Sequence, residues 1–265
     1  MKRIYCVLVF SVFIVTVIAH EYVLLAVKFR LKKGDKLEMH LFVADGFNIQ
    51  LEKPFQKSIT QKFELITKDS IINLLPLTPE GALPVINKEV NFDGGGLVHT
   101  ERGYAHIVLA TDKFFDYLKE DHIDGIAGIV DKTKPVQKER YSRYIKSLVQ
   151  SGDIYTDTLY KLFTGQHFEI IFLQNPYRLH PGGLLKAQVF FMGKPLPDKI
   201  ITAENRVGNK PVITLASKTD DNGVCSFKLV RKGEWFLHAT HMIVCPDKQD
   251  SDWESFWTSY SFGID

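Results

Sequence analysis

The C-terminal part of the chain consists of short apolar segments separated by turn residues, and this pattern restricts the fold more than any other. Turn-forming groups such as Met192-Gly193-Lys194-Pro195 and Asp220-Asp221-Asn222-Gly223 lie between the segments. The candidate strands are residues 168–173, 184–191, 199–203, 212–218, 224–230, 234–244 and 256–262. Short strands at this spacing are typical of a sandwich of about seven strands. We therefore predict a C-terminal β-sandwich over residues 166–265.

The N-terminal part also shows the two-residue period of strands. Candidate strands are residues 36–43, 62–67 and 104–110. In the first of them, Leu37, Met39 and Leu41 alternate with polar residues, as expected for a strand with one buried face. The glycines of Asp93-Gly94-Gly95-Gly96 indicate a flexible connection between two strands. With a boundary near Gly165, the prediction is a mainly β chain whose N-terminal domain covers residues 20–165.

A helical segment is predicted over about residues 112–152 of that domain. A first helix follows Asp112, which can cap it, and its apolar stripe is Phe114, Phe115 and Leu118. A second helix begins at Pro135 and ends before Gly152. Its apolar positions recur at helical spacing: Tyr141, Tyr144, Ile145, Leu148 and Val149. We expect its charged residues to face solvent: Lys138, Glu139 and Arg143.

The first nineteen residues have the order of a secretory signal peptide. Lys2 and Arg3 precede an apolar run from residue 4 to 18, and Val17-Ile18-Ala19 forms a cleavage site. The run is shorter than the ~20 residues that a membrane-spanning helix needs. We therefore predict cleavage before His20, a periplasmic or secreted mature protein, and no membrane span after cleavage.

Charge, motifs and cysteines exclude several classes of function. The 33 basic and 31 acidic residues leave no strongly basic face for a nucleic-acid partner. The chain contains no Gly-x-Ser-x-Gly, His-Glu-x-x-His or phosphate-loop motif, so we do not expect an enzyme. A hairpin at residues 231–234 would keep Cys225 and Cys245 about 16 Å apart, too far for a disulfide. Both are predicted to be free thiols.

Histidine provides the main candidate for chemistry. After cleavage, the α-amine and imidazole of His20 can chelate one metal ion, and the amine titrates close to neutral pH. Further imidazoles would make a nitrogen-rich site that suits Cu, Ni or Zn. The candidates for these are His40, His99 and His106, on the polar sides of predicted strands or beside the glycine run. Each of them can also be an ordinary surface histidine.

Two other groups of residues allow weaker interpretations. His238 and His241 are three apart on a predicted strand, so their side chains point to opposite faces. His241 shares its face with apolar residues and can be a core histidine. The acids and tryptophans of residues 247–257 could bind Ca²⁺ or a sugar, or could pin a loop against the sandwich.

Several segments together resemble a family of bacterial envelope proteins grouped under a domain of unknown function. They are His20-Glu21-Tyr22 and residues 34–47, 140–153, 175–179, 193–198, 219–229 and 239–257. Members of the family are often labelled as periplasmic components of nickel or cobalt uptake. The resemblance implies an N-terminal β domain with a helical extension, followed by an immunoglobulin- or transthyretin-like sandwich.

Three functions remain open at this point. The first is an exported protein that binds nickel, cobalt or copper as an accessory to uptake or homeostasis, with an envelope or membrane transport protein as partner. The second is a metal-free interaction module that binds polysaccharide or another envelope protein. The third is a copper-dependent oxidase, because an N-terminal histidine with a second imidazole is the arrangement found in polysaccharide monooxygenases.

Overall fold

The computed structural model describes residues 21–264, which are mainly β-strands. The one α-helix of this range, α1, is Thr111–Glu120. The strands of the first half are β1 (Glu21–Ala26), β2 (Arg30–Leu31), β3 (Lys36–Asp45), β4 (Asn48–Lys53), β5 (Thr60–Thr67), β6 (Ile71–Asn73), β7 (Ile86–Glu89), β8 (Gly94–Ala110) and β9 (Val136–Ser151). Those of the second half are β10 (Phe168–Phe172), β11 (Leu184–Phe191), β12 (Lys194–Pro195), β13 (Ile200–Arg206), β14 (Ile213–Lys218), β15 (Val224–Lys228), β16 (Gly233–Val244) and β17 (Trp253–Ile264).

Three sheets organise these strands. A nine-stranded sheet has the order β14-β13-β16-β17-β9-β8-β5-β6, with β2 beside β9. An N-terminal four-stranded sheet contains β1, β3, β4 and β7, and a C-terminal one contains β10, β11, β12 and β15. Within the nine-stranded sheet β17 pairs with β16 antiparallel and with β9 in parallel. Strands from both sides of Gly165 therefore form one sheet.

The two small sheets lie on opposite faces of the nine-stranded sheet. The hydroxyl of Ser259 donates to the Tyr22 carbonyl of β1 at 2.6 Å, so this face of β17 lies against the N-terminal sheet. The next residue, Tyr260, stacks on Phe172 of β10 with ring centroids 4.0 Å apart. Because successive side chains of a strand alternate between faces, β17 is covered on both sides. All of its residues are buried.

The predicted second helix is wrong, because residues Val136–Ser151 form β9. This strand pairs with β8 on one side and β17 on the other. Its second half is covered on both faces, so burial there no longer follows the two-residue period of a one-sided strand. Glu139 and Arg143, expected to face solvent, are also buried. Pairing with strands distant in sequence outweighs the local helical spacing.

The first predicted helix is confirmed as α1, which lies in the connection between β8 and β9. Its buried residues are Phe114, Tyr117 and Leu118. Phe114 stacks on Trp253, and Tyr117 stacks on Trp257 with an interplanar angle of 1°. Asp112 lies in the first turn but makes no capping hydrogen bond. These contacts hold α1 on the same face of the nine-stranded sheet as β1.

The glycine run expected to be a flexible connection instead begins strand β8. The backbone N–H of Gly95 donates to Asp157 Oδ2 at 2.7 Å. A Cβ atom on Gly96 would lie 2.6 Å from the Phe92 ring. The glycines therefore permit close packing of a strand rather than flexibility.

Both described cysteines are free and buried. The hairpin assumed to separate them is wrong, because β15 pairs with β11 and places Cys225 opposite Ala187. Cys245 follows β16 in the nine-stranded sheet. The boundary near Gly165 stays a prediction about folding units, since the sheet itself is continuous across it.

Candidate functional site

A cavity of about 450 Å³ lies between the start of β1, the end of α1 and the nine-stranded sheet. Five carboxylate residues and two histidines line it: Glu21, Asp45, Glu120, Asp121, Glu204, His122 and His238. No lysine or arginine of residues 21–264 is among the lining residues. The lining therefore has a strong excess of acidic side chains.

The floor of the cavity is formed by β13 and β16. His238 of β16 is the register partner of Thr202, and Phe236 is that of Glu204. Because Thr202 and Glu204 are two residues apart, they share one face of the sheet, and His238 lies on the same face. Glu21 is paired with Ala44 of β3, beside the β3–β4 turn.

His238 is the central residue of this cavity. Its Nδ1 lies 3.1 Å from Glu21 Oε1. Its Nε2 is shielded from solvent and has no hydrogen-bond partner within residues 21–264. If Nδ1 carries the proton that is shared with Glu21, then Nε2 presents a lone pair. Metal-binding histidines commonly have this arrangement, in which a carboxylate orients the ring through its other nitrogen.

Charges around the ring alter its protonation. Burial lowers the pKa of His238. The carboxylate of Glu21, together with those of Glu204 and Asp121, raises this pKa by a larger amount, so the net shift is upward. An imidazole surrounded by carboxylates favours positive charge. The cavity therefore stabilises a cation at this position, either the imidazolium or a metal ion that replaces the Nε2 proton.

Glu204 is held rigidly at the cavity wall. Its Oε2 accepts a hydrogen bond from the Phe47 N–H at 2.9 Å. A Cβ atom on Gly46 would lie 2.0 Å from that oxygen, and Gly46 has a φ of +60°. Only glycine lets the turn and the carboxylate approach so closely. Burial is the main cause that raises the pKa of Glu204.

Asp121 follows α1 and lies close to the other carboxylates. Burial, and next to it the charge of Glu21, raise the pKa of Asp121 to about 8. Outside the lining, the buried Lys199 donates to the His122 carbonyl at 2.6 Å. A carboxyl group whose ionisation is suppressed by neighbouring carboxylates gains stability when a cation binds beside it.

The three described histidines that the sequence predicted as ligands, His40, His99 and His106, do not line this cavity. His20 lies outside the described residues. His40 contacts Glu52 at 2.5 Å and Glu38 at 3.1 Å in the N-terminal sheet. His99 is fully buried and contacts its cross-strand partner Glu64 at 2.8 Å. His106, with 54% of its side chain exposed, contacts Asp250 at 2.9 Å.

These pairings give His40, His99 and His106 three separate sets of partners. Within residues 21–264 no group of three or more His, Cys, Asp or Glu side chains has the arrangement of a metal site. Their role as ligands stays a prediction. The aromatic tail residues Trp253 and Trp257 are buried against α1, which agrees with the interpretation that they pin the chain.

Sequence reasoning noticed His238 but did not assign it to a site. The expectation that His238 and His241 point to opposite faces agrees with their contacts, since His241 packs on Phe191 and Phe168 instead. Asp121 and Glu204 belong to no local motif. Only their position in the folded chain relates them to His238.

A family model for a domain of unknown function, DUF4198, matches residues 17–243. The chain belongs to the DUF4198 family. The match includes β1, α1 and most of β16, and so covers the elements that carry Glu21, Asp121, Glu204 and His238. None of the curated proteins matches this DUF4198 chain. No helix within residues 21–264 has the length and apolar character that crossing a bilayer requires.

Two solved structures are similar to this DUF4198 protein at low identity. The D0–D1 domain of intimin is 11% identical, with a TM-score of 0.21, and the match covers 91% of this chain and 97% of that one. A tetra-tandem repeat from the extending region of a large adhesion protein is 9% identical, with a TM-score of 0.22. That match covers 92% of this chain and 49% of the other.

Proposed function

We propose that this protein is exported to the cell envelope and binds a transition-metal cation, nickel, cobalt or copper, in the cavity beside His238. The observation that carries the proposal is the His238 ring, with Nδ1 on Glu21 and Nε2 buried without a partner in residues 21–264. A buried nitrogen without a hydrogen bond is costly unless something binds it. A metal ion would use its lone pair.

The surrounding charge supports a cation over a neutral ligand. Within residues 21–264 the acids do not form a metal group of three or more side chains with His238, so Nε2 would bind the ion and the acids would balance its charge. Imidazole nitrogen suits copper and nickel. After burial, the charge of Glu21 also raises the pKa of Asp121 and of Glu204, and a divalent cation would remove that repulsion. The proposal therefore explains why so many acids are kept around one histidine.

The predicted signal cleavage adds a further ligand to this proposal. Consecutive Cα atoms are ~3.8 Å apart, so a chain cut before His20 would begin beside Glu21, whose side chain lines the cavity. The free amine and imidazole of His20 would then be available to the same ion. In the envelope, the protein would pass the metal to a transport protein or buffer it.

Calorimetric titration of residues 20–265 with Ni²⁺, Co²⁺ and Cu²⁺ tests the proposal. His238→Gln should weaken binding by at least about tenfold. His241→Gln is the matched control, because it changes the same residue type on the same strand but on the opposite face. Its affinity should be unchanged.

A second comparison tests the contribution of the terminus. A methionine placed before His20 displaces the amine and should weaken binding while leaving the fold intact. Equal affinity of the extended and authentic proteins would exclude the terminal amine as a ligand. No binding of any of the three metals would favour the interaction module that binds polysaccharide or another envelope protein.

A further inference from the structure

We infer that the cavity accepts its metal as a small cationic complex that keeps amine or water ligands of its own, rather than as a bare ion. This inference rests on the proposed function and names the form of the ligand. It depends on the size of the cavity, on the separate positions of its carboxylates and on its charge.

The cavity is too large for one ion. A single water molecule takes up ~30 Å³ of liquid, and a bare divalent ion is no larger. The cavity measures about 450 Å³, within the range of small-molecule sites. An ion at His238 Nε2 therefore leaves most of the space for other groups bound to it.

The carboxylates are arranged to accept hydrogen bonds from those groups. Glu21, Asp121 and Glu204 come from β1, the end of α1 and β13, and they face the space from different sides. Glu204 is fixed by the Phe47 N–H. Asp121, half-buried at the end of α1, lies in the cavity lining. Metal-bound amines and waters are N–H and O–H donors, which these oxygens would accept.

The charge of the site selects among complexes of equal size. Five acidic residues and no lysine or arginine within residues 21–264 line the cavity. The charges of His238 and Lys199 act on Asp121, but they are outnumbered, so a carboxylate-bearing ligand meets mainly acidic groups. A complex with amine ligands keeps its full positive charge and adds donors. A complex with carboxylate ligands loses positive charge, and its carboxylate oxygens would face the carboxylate oxygens of the cavity, with no hydrogen-bond donor between them. The cavity should therefore distinguish the two.

The test compares two tridentate chelators of similar shape on the same metal. Diethylenetriamine leaves Ni²⁺ doubly charged with three open positions, and iminodiacetate makes it neutral with the same three positions open. Binding of aquo Ni²⁺ and of both complexes to residues 20–265 is measured by calorimetry. The diethylenetriamine complex should bind at least as tightly as the aquo ion and about tenfold more tightly than the iminodiacetate complex.

Variants identify the side chains that interact with the ligands on the metal. Asp121→Asn should remove most of the preference for the diethylenetriamine complex. Asp69→Asn is the matched control, because this exposed aspartate pairs with Lys68 away from the cavity. Thermal unfolding of each variant, compared with that of the parent chain, shows that the fold is retained.

The outcomes separate the inference from the proposed function. Binding of aquo Ni²⁺ that is abolished by diethylenetriamine would overturn the inference and leave a bare-ion site. Equal affinity for the two complexes would also overturn the inference, because the cavity carboxylates would then not interact with the ligands on the metal. Absence of binding by all three nickel species would overturn both statements.

Discussion

Two histidines three residues apart on β16 have opposite environments. His238 faces the polar cavity and contacts Glu21, and nearby carboxylates raise its pKa above the usual value despite burial. His241 faces the C-terminal sheet and packs on Phe191, with ring centroids 4.4 Å apart. Burial, and then the charge of Lys199, lower the pKa of His241 to about 4. The same residue type thus favours the charged form on one face and the neutral form on the other.

The difference follows from what each small sheet places against the large one. On the side of the C-terminal sheet, Phe172 packs against Tyr260 and Phe262 in an aromatic core. On the other side, β1 and the end of α1 bring carboxylates, and Ser259 of the large sheet donates to the Tyr22 carbonyl of β1. One face therefore supplies apolar stability, and the other encloses a polar cavity at some cost in stability.

The largest effect on stability is expected when the elements that pack on the polar face of the large sheet are removed. Residues 166–265 expressed alone retain the C-terminal sheet and its aromatic core, so they should unfold cooperatively and give a β-type far-UV spectrum. They lose β9 and α1, which cover Trp253 and Trp257. Exposing these two side chains should lower the free energy of unfolding by at least about 3 kcal/mol. A disordered fragment would show that the aromatic face alone does not hold a fold.

A single truncation of the aromatic face should have the next largest effect. Phe172→Ala leaves a cavity beside Tyr260 and Phe262 and should cost about 3–5 kcal/mol in urea unfolding. Glu204→Gln on the polar face should change stability by less than about 1 kcal/mol, because it also removes charge repulsion. Similar losses for both variants would contradict the division of roles between the two faces.

The two histidines should give stability profiles of opposite sign against pH. His241 has a folded pKa of about 4, below its unfolded value near 6.5, so its contribution is lost as pH falls from about 6.5 to 4. His238 has a raised folded pKa, so its contribution is present below about 6.5 and is lost as pH rises through the folded value. His241→Gln should reduce acid destabilisation by on the order of 2 kcal/mol. Urea unfolding of the metal-free variants from acid to alkaline pH measures both effects.

The smallest effect concerns Glu139 of β9, a further buried acid on the polar side. Burial raises its pKa to about 7, and its Oε1 accepts a hydrogen bond from Tyr117 at 3.1 Å. The unfolded value is lower, so stability should fall as pH rises from about 4.5 to 7. Glu139→Gln should therefore gain at most on the order of 2 kcal/mol at pH 8 and almost nothing at pH 4. A gain that is independent of pH would show that the ionised carboxylate is not the cause.

The sequence by itself determined most of the C-terminal strands and the first helix. Residues 184–191 were predicted as a strand and form β11 with the same bounds, and α1 begins one residue before the predicted cap Asp112. β11 and α1 each have a more buried side and a more exposed side. Their periodicity therefore reports their structure directly.

Tertiary structure decided β9. Its residues Tyr141, Tyr144, Ile145 and Leu148 have helical spacing, yet they form a strand between β8 and β17. A strand buried on both faces has no polar side to mark its period. Lys146 also lies in the core there, since its ammonium is paired with Glu169 of β10. Local spacing does not reveal a partner that lies elsewhere in the chain.

The candidate site also depended on tertiary structure. The four residues of the site are spread over more than two hundred positions of the chain and lie in or beside four different elements: Glu21, Asp121, Glu204 and His238. The sequence marked the residues after the signal peptide and the alternation of His238 with His241. It did not indicate that the acids lie close to the histidine, because they meet only when β1 and α1 pack on one face of the nine-stranded sheet. Side-chain alternation can be read along a strand, whereas convergence across elements exists only after the sheets have packed.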